Sequence, residues 1–79
     1  MIEQTVSKII AENRPDIEDI ENAEFITDGL FDSFDIVTLV SELDKTFGIS
    51  IDGSDITPDN FNTISSITAL VEKSGVNKK

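Results

Sequence analysis

Ile2, Val6, Ile9 and Ile10 recur at i, i+4, i+7 and i+8, which places four aliphatic side chains on one face of a helix running to about Asn13. Pro15 ends it, because its ring and missing N–H cannot continue an α-helix. A second helix is predicted over residues 33–47. Ile36, Leu39, Val40, Leu43 and Phe47 fall within a narrow arc at 100° per residue, with Asp32 as N-cap, Asp35 as first-turn charge and Gly48 as C-terminal stop. Thr63 caps a final helix in which Ile64, Ile67, Leu70 and Val71 share a face, ending at Gly75.

The segments between the helices carry weaker signals. Residues 14–32 hold Ile17, Ile20, Phe25, Ile26, Leu30 and Phe31 without helical spacing, which predicts an acidic loop pinned to the core, with a reversal at Asp28-Gly29. Ile49-Ser50-Ile51 alternates like a strand but has no second strand to pair with, so it reads as an extended link. Thr57-Pro58 predicts a cap and first-turn proline for one short turn of helix carrying Phe61. The expected fold is all-α: a small four-helix bundle with three main helices and one short one. It forms a single domain over residues 1–79, with 75–79 as a frayed tail ending in Lys78-Lys79.

Composition narrows the chemistry. Seventy-nine residues, 38% of them apolar, support one modest core and no deep pocket. The absence of Cys, His, Trp and Tyr removes disulfides, thiolate and imidazole metal ligands, and nucleophiles activated by a histidine base. No catalytic residue and no metal site is predicted. Sixteen acids against six bases leave a net charge of -10, which opposes binding to nucleic acid or to an anionic membrane and favours basic protein surfaces. No segment has the apolar length of a membrane span, and the first residues lack a secretion signal. The expectation is a cytoplasmic monomer without membrane insertion. Thirteen of the sixteen acids lie in residues 15–60 beside a single base, Lys45, so the middle of the chain forms the acidic face.

The candidate site is the run Asp28-Gly29-Leu30-Phe31-Asp32-Ser33-Phe34-Asp35, in which a turn delivers a serine to the opening of a strongly apolar helix. Free backbone N–H groups and the positive end of the helix dipole favour a phosphate attached there, by roughly 0.3–1 kcal/mol per exposed charge. Phe34 and Val37 lie off the core arc with Ser41 and Asp44. Together they form a second face beside Ser33 suited to docking a partner.

An Asp-Ser pair before a helix is ordinary by itself, but its surroundings resemble the acyl carrier protein family. The matching residues are Gly29 through Val37, then Leu39-Val40 and Leu43, Phe47-Gly48-Ile49, and Ile64 to Val71. The resemblance implies 4′-phosphopantetheine, moved from coenzyme A onto Ser33 by a phosphopantetheinyl transferase, whose thiol then holds an acyl group as a thioester. It also implies an adenylating acyl or aminoacyl ligase as loading partner, and a transferase or synthase as acceptor. Basic patches on these enzymes would meet Asp32, Asp35, Glu42 and Asp44.

Thr38, Ser41 and Lys45 stand where the commonest fatty-acid carriers show Glu, Met and Glu, which weakens a fatty-acid role. Phe34 after the serine, and Phe61-Asn62-Thr63 before the last helix, are more similar to the D-alanyl carrier proteins. Asp35 and Phe61 depart from that subgroup's usual Gly and Trp. D-alanine or a similar small acyl group is therefore the favoured cargo. The alternatives are a fatty-acid or polyketide carrier, and an unmodified acidic helical interaction domain. A calcium loop starting at Asp52 fails, because Thr57 falls where the bend glycine belongs and Thr63 where the bidentate Glu belongs.

Overall fold

A computed structural model describes residues 2–76. Three α-helices form the frame: α1 (Ile2–Asn13), α2 (Ser33–Phe47) and α3 (Ile64–Val71). No strand occurs among the described residues, and Ile49-Ser50-Ile51 is a link without regular structure. The chain is all-helical, a bundle with short 3-10 turns between its helices.

Each helix buries the stripe its sequence marks out. Val6, Ile9 and Ile10 of α1, Leu39 and Leu43 of α2, and Ile64, Ile67, Leu70 and Val71 of α3 form one core. Ile36, Val40 and Phe47 pack against it half-buried. Every fully buried aliphatic or aromatic side chain contributes about 1.5–3 kcal/mol by leaving water. Helix α1 packs against both α2 and α3. Its C-terminus is closed by the Asn13 side-chain amide, which donates to the Ile9 carbonyl at 2.9 Å.

The acidic connection is ordered by two devices. Phe25 is fully buried and its ring stacks on Phe31, with centroids 4.5 Å apart and planes 10° from parallel. The Phe25 carbonyl accepts from both Leu30 and Phe31 N–H groups, so the backbone closes around it, and Gly29 takes the left-handed φ of 71° that this turn requires. Asn62 supplies the second device from the far side of the sequence. Its Oδ1 accepts from the Ile26 and Thr27 N–H groups at 2.9 and 3.0 Å, its Nδ2 donates to Thr27 Oγ1, and its own carbonyl accepts from Phe25 N–H.

The short fourth helix is a 3-10 turn, Asp59–Phe61, entered through Pro58. Two further 3-10 turns, Ile20–Asn22 and Gly53–Asp55, lie where the sequence reads only as loop. Helix α3 begins at a reciprocal cap between Thr63 and Ser66. After Val71 the backbone widens into a π-type turn, Glu72–Val76, in which Gly75 has φ 124°. The expected stop at Gly75 therefore coincides with a conformation that side chains rarely adopt. Lys78 and Lys79, and with them most of the tail expected to fray, lie outside the described residues.

Candidate functional site

Ser33 is the first residue of α2, presented by a cap on either side of it. Asp32 Oδ1 accepts from the Asp35 N–H at 2.9 Å, and Asp35 Oδ2 accepts from the Asp32 N–H at 3.1 Å. This reciprocal box locks the first turn and leaves Ser33 and Phe34 between its two members. The side chain of Ser33 is exposed, and its hydroxyl hydrogen-bonds to no other group among the described residues. A serine so placed has an unencumbered oxygen, space for a bulky attachment and a helix N-terminus beside it.

The face beside it is apolar. Phe34 is 76% exposed and Val37 65%, the two most exposed large apolar side chains among the described residues. Ser41 continues the strip in the open. Between the end of α1 and the start of α2 a cavity of about 200 Å³ reaches Phe34, with apolar walls from Ile10, Phe31 and Leu39 and polar groups from Asn13, Arg14 and Thr38.

The acids divide by occupation. The Asp32 carboxyl is exposed, and it is held below the usual carboxylate range chiefly by the N–H of Asp35. Asp35 is three-quarters buried and salt-bridged to Arg14 at 3.0 Å. Asp44 is half-buried, and its Oδ1 accepts from the Ile51 N–H at 3.0 Å, which pins the link after α2. Asp35 and Asp44 thus hold the fold as well as carry charge. Asp52 caps the turn Gly53–Asp55, and Asp55 pairs with Lys73, so two of the three acids in the rejected calcium loop are also engaged. Among the described residues no three potential metal ligands converge, and no helix is long and apolar enough to cross a membrane.

A family model described as "Phosphopantetheine attachment site" matches residues 2–71. The chain belongs to this family. No curated protein and no solved structure matches it significantly. Carrier domains of the family bear covalently attached 4′-phosphopantetheine and are not themselves catalysts. They interact with phosphopantetheinyl transferases and with enzymes of synthase or ligase type. The exposed hydroxyl at the α2 N-terminus fits such a group, because the first-turn N–H groups and helix dipole favour its phosphate.

Two residues of this carrier were not singled out as site residues by the sequence pattern. Arg14 donates to the Leu30 carbonyl, to Asp35 and to both oxygens of Asp16, and so reaches both flanks of Ser33. Its signal was available: it is the one arginine in the chain, set at the edge of the acidic segment. Asn62 stands out in the sequence only as part of Phe61-Asn62-Thr63; its anchoring of the loop has no local signal, since the partners lie 35 and 36 residues away.

The Asp32 cap makes stability depend on pH. A carboxyl whose folded pKa is depressed stabilises the fold fully above its unfolded pKa, and that contribution is lost as pH falls through the folded value. Asp32→Asn keeps a capping oxygen without the titration. Urea unfolding from about pH 7 down to about pH 3 should show the wild type's advantage over Asp32→Asn shrinking below about pH 4. A difference that stays constant over that range would contradict this role.

Proposed function

We propose that Ser33 is the attachment residue, and that the chain acts as a single cytoplasmic, monomeric carrier domain for a small acyl or aminoacyl group, with D-alanine favoured. The observation that carries this reading is the exposed Ser33 hydroxyl at the first position of α2, inside the Asp32–Asp35 box.

In this reading Ser33 Oγ attacks the β-phosphorus of coenzyme A. A phosphoester bond forms to Ser33, the bond to adenosine 3′,5′-bisphosphate breaks with its electron pair, and the hydroxyl proton passes to a base on the transferase. When bound, the group supplies the thiol that the cysteine-free chain lacks, and that thiol holds the cargo as a thioester. The protein's share is to display the serine, to tolerate the phosphate and to dock enzymes that act on the tethered cargo at high local concentration.

Docking is assigned to the Phe34, Val37 and Ser41 strip, rimmed by the acids Asp32, Asp35, Glu42 and Asp44. Charge steers a basic partner and the apolar strip supplies contact. Asp32, exposed at the N-cap of α2, and Glu42, half-buried on α2, form no ion pair among the described residues, which makes them the principal docking charges even though Asp32 also caps the helix.

Several features support a small cargo. Phe34 follows the serine, Phe61-Asn62-Thr63 precedes α3, and the cavity nearest the site is small and partly polar. The carrier should be incubated with coenzyme A and a phosphopantetheinyl transferase, then offered to adenylating ligases with a panel of amino acids and fatty acids at low and high salt. One arm per chain, D-alanine or short-acyl loading, and slower loading at high salt are expected. Exclusive long-chain loading would overturn the cargo, and salt-independent loading the charge-steered docking. An unmodified folded chain would reject Ser33 as attachment residue and favour the acidic interaction domain.

A further inference from the structure

We propose that Arg14 is a positioning residue for the attachment serine: it grips the chain on both sides of Ser33 and fixes the geometry in which the hydroxyl meets a transferase. The inference rests on the reading of Ser33 as attachment residue.

The geometry is specific to a guanidinium. Arg14 sits one residue beyond α1, and Pro15 fixes the backbone direction after it. Its Nη1 donates to the Leu30 carbonyl, three residues before Ser33, and to Asp35 Oδ2 at 3.0 Å, two residues after it. Its Nε and Nη2 donate to the two oxygens of Asp16 at 3.0 and 2.9 Å, so four contacts orient one planar group. The fork is tethered on its outer edge and applied to the serine segment on its inner one.

The grip also passes through the cap. The Asp35 oxygen that Arg14 binds, Oδ2, is the one that accepts the Asp32 N–H, so Arg14, Asp35 and the Phe31–Asp32 peptide leading into Ser33 form one continuous chain of hydrogen bonds. Arg14 and Asp35 are each about three-quarters buried as side chains, so this pair is screened less than a surface pair. Removing the guanidinium takes away the side-chain donor to the Leu30 carbonyl and leaves two box carboxylates facing each other across one turn without a counter-charge. The entry to α2 then loses the restraint that sets the direction of Ser33, while Phe34 and Val37 remain exposed for docking.

A lysine keeps the charge and the alkyl stem, but one ammonium cannot reproduce the planar fork that meets a carbonyl and two carboxylates together. Arg14→Lys and Arg14→Gln therefore separate a role in holding the fold from a role in aiming the serine.

The test measures transfer from coenzyme A by intact mass, with kcat and KM for the carrier, alongside thermal unfolding and amide exchange at Asp32. For Arg14→Gln, kcat should fall about tenfold, with KM for the carrier within about twofold of wild type. The Asp32 amide should exchange faster. For Arg14→Lys, stability should return toward wild type while kcat stays reduced several-fold. A lysine variant that restores both stability and kcat would overturn the inference, and so would a folded glutamine variant with wild-type kcat. If Arg14→Gln does not fold, the lysine variant decides alone by the same comparison. A wild-type chain that accepts no arm at Ser33 defeats the attachment reading and this inference with it. A wild type that is modified while both variants keep its kcat defeats only the role of Arg14.

Discussion

Replacing Phe25 with alanine should cost about 3–5 kcal/mol of folding stability, a large part of what a domain of this size possesses. Phe25 is fully buried and lies under the loop that leads into α2. Removing its ring abolishes the stack on Phe31, worth about 0.5–1.5 kcal/mol beyond burial, and opens a cavity in the core beneath a loop closed by hydrogen bonds to the Phe25 carbonyl. The surroundings have little freedom to fill that cavity, because the loop is tied on its other side to Asn62. Urea unfolding with a well-determined slope is the appropriate measurement. A loss below about 1 kcal/mol would show that the acidic loop is not anchored as described. Phe25→Leu, which keeps most of the apolar volume, should recover much of the loss.

The loop matters to function because its anchoring determines where α2 begins. The stacked pair ends at Phe31, the cap follows at Asp32 and the serine at Ser33, so any slack under Phe25 is transmitted directly to the site.

The helices were legible in the sequence because each has its own periodic apolar stripe and local punctuation. Val6, Ile9 and Ile10 mark one, and Leu39 and Leu43 another. Asp32, Gly48 and Thr63 set boundaries through contacts made within four residues. Gly48 shows the expected left-handed φ, 65°. The 3-10 turns were not legible except at Pro58, because three-residue turns are too short to carry a period and Asp52 gives no sign in advance that it will cap Ser54.

At the site, the serine and its apolar neighbours could be read directly, since Phe34 and Val37 fall off the core arc by spacing alone. The roles of the acids could not. Counting charges treats Asp32, Asp35 and Asp44 alike, whereas the fold gives Asp35 to Arg14 across 21 residues and Asp44 to Ile51 across seven. Pairings of that kind depend on how helices meet, which periodicity does not encode.

Ser33→Ala should abolish modification while leaving the fold intact. The side chain is exposed, and the box closes through Asp32 and Asp35 without the hydroxyl. The chain offers its own internal comparisons: Ser41 and Ser50 are exposed, and Ser65 is exposed in the first turn of α3. Ser41 lies in mid-helix, where the backbone N–H groups are already used, and Ser65 has no strip like Phe34 and Val37 beside it. The most direct measurement is fragmentation mass spectrometry of the intact chain after reaction with coenzyme A and a phosphopantetheinyl transferase. One phosphopantetheine per chain is expected, all of it on Ser33. Its appearance on Ser41, Ser50 or Ser65, or on a Ser33→Ala chain, would overturn Ser33 as the attachment residue.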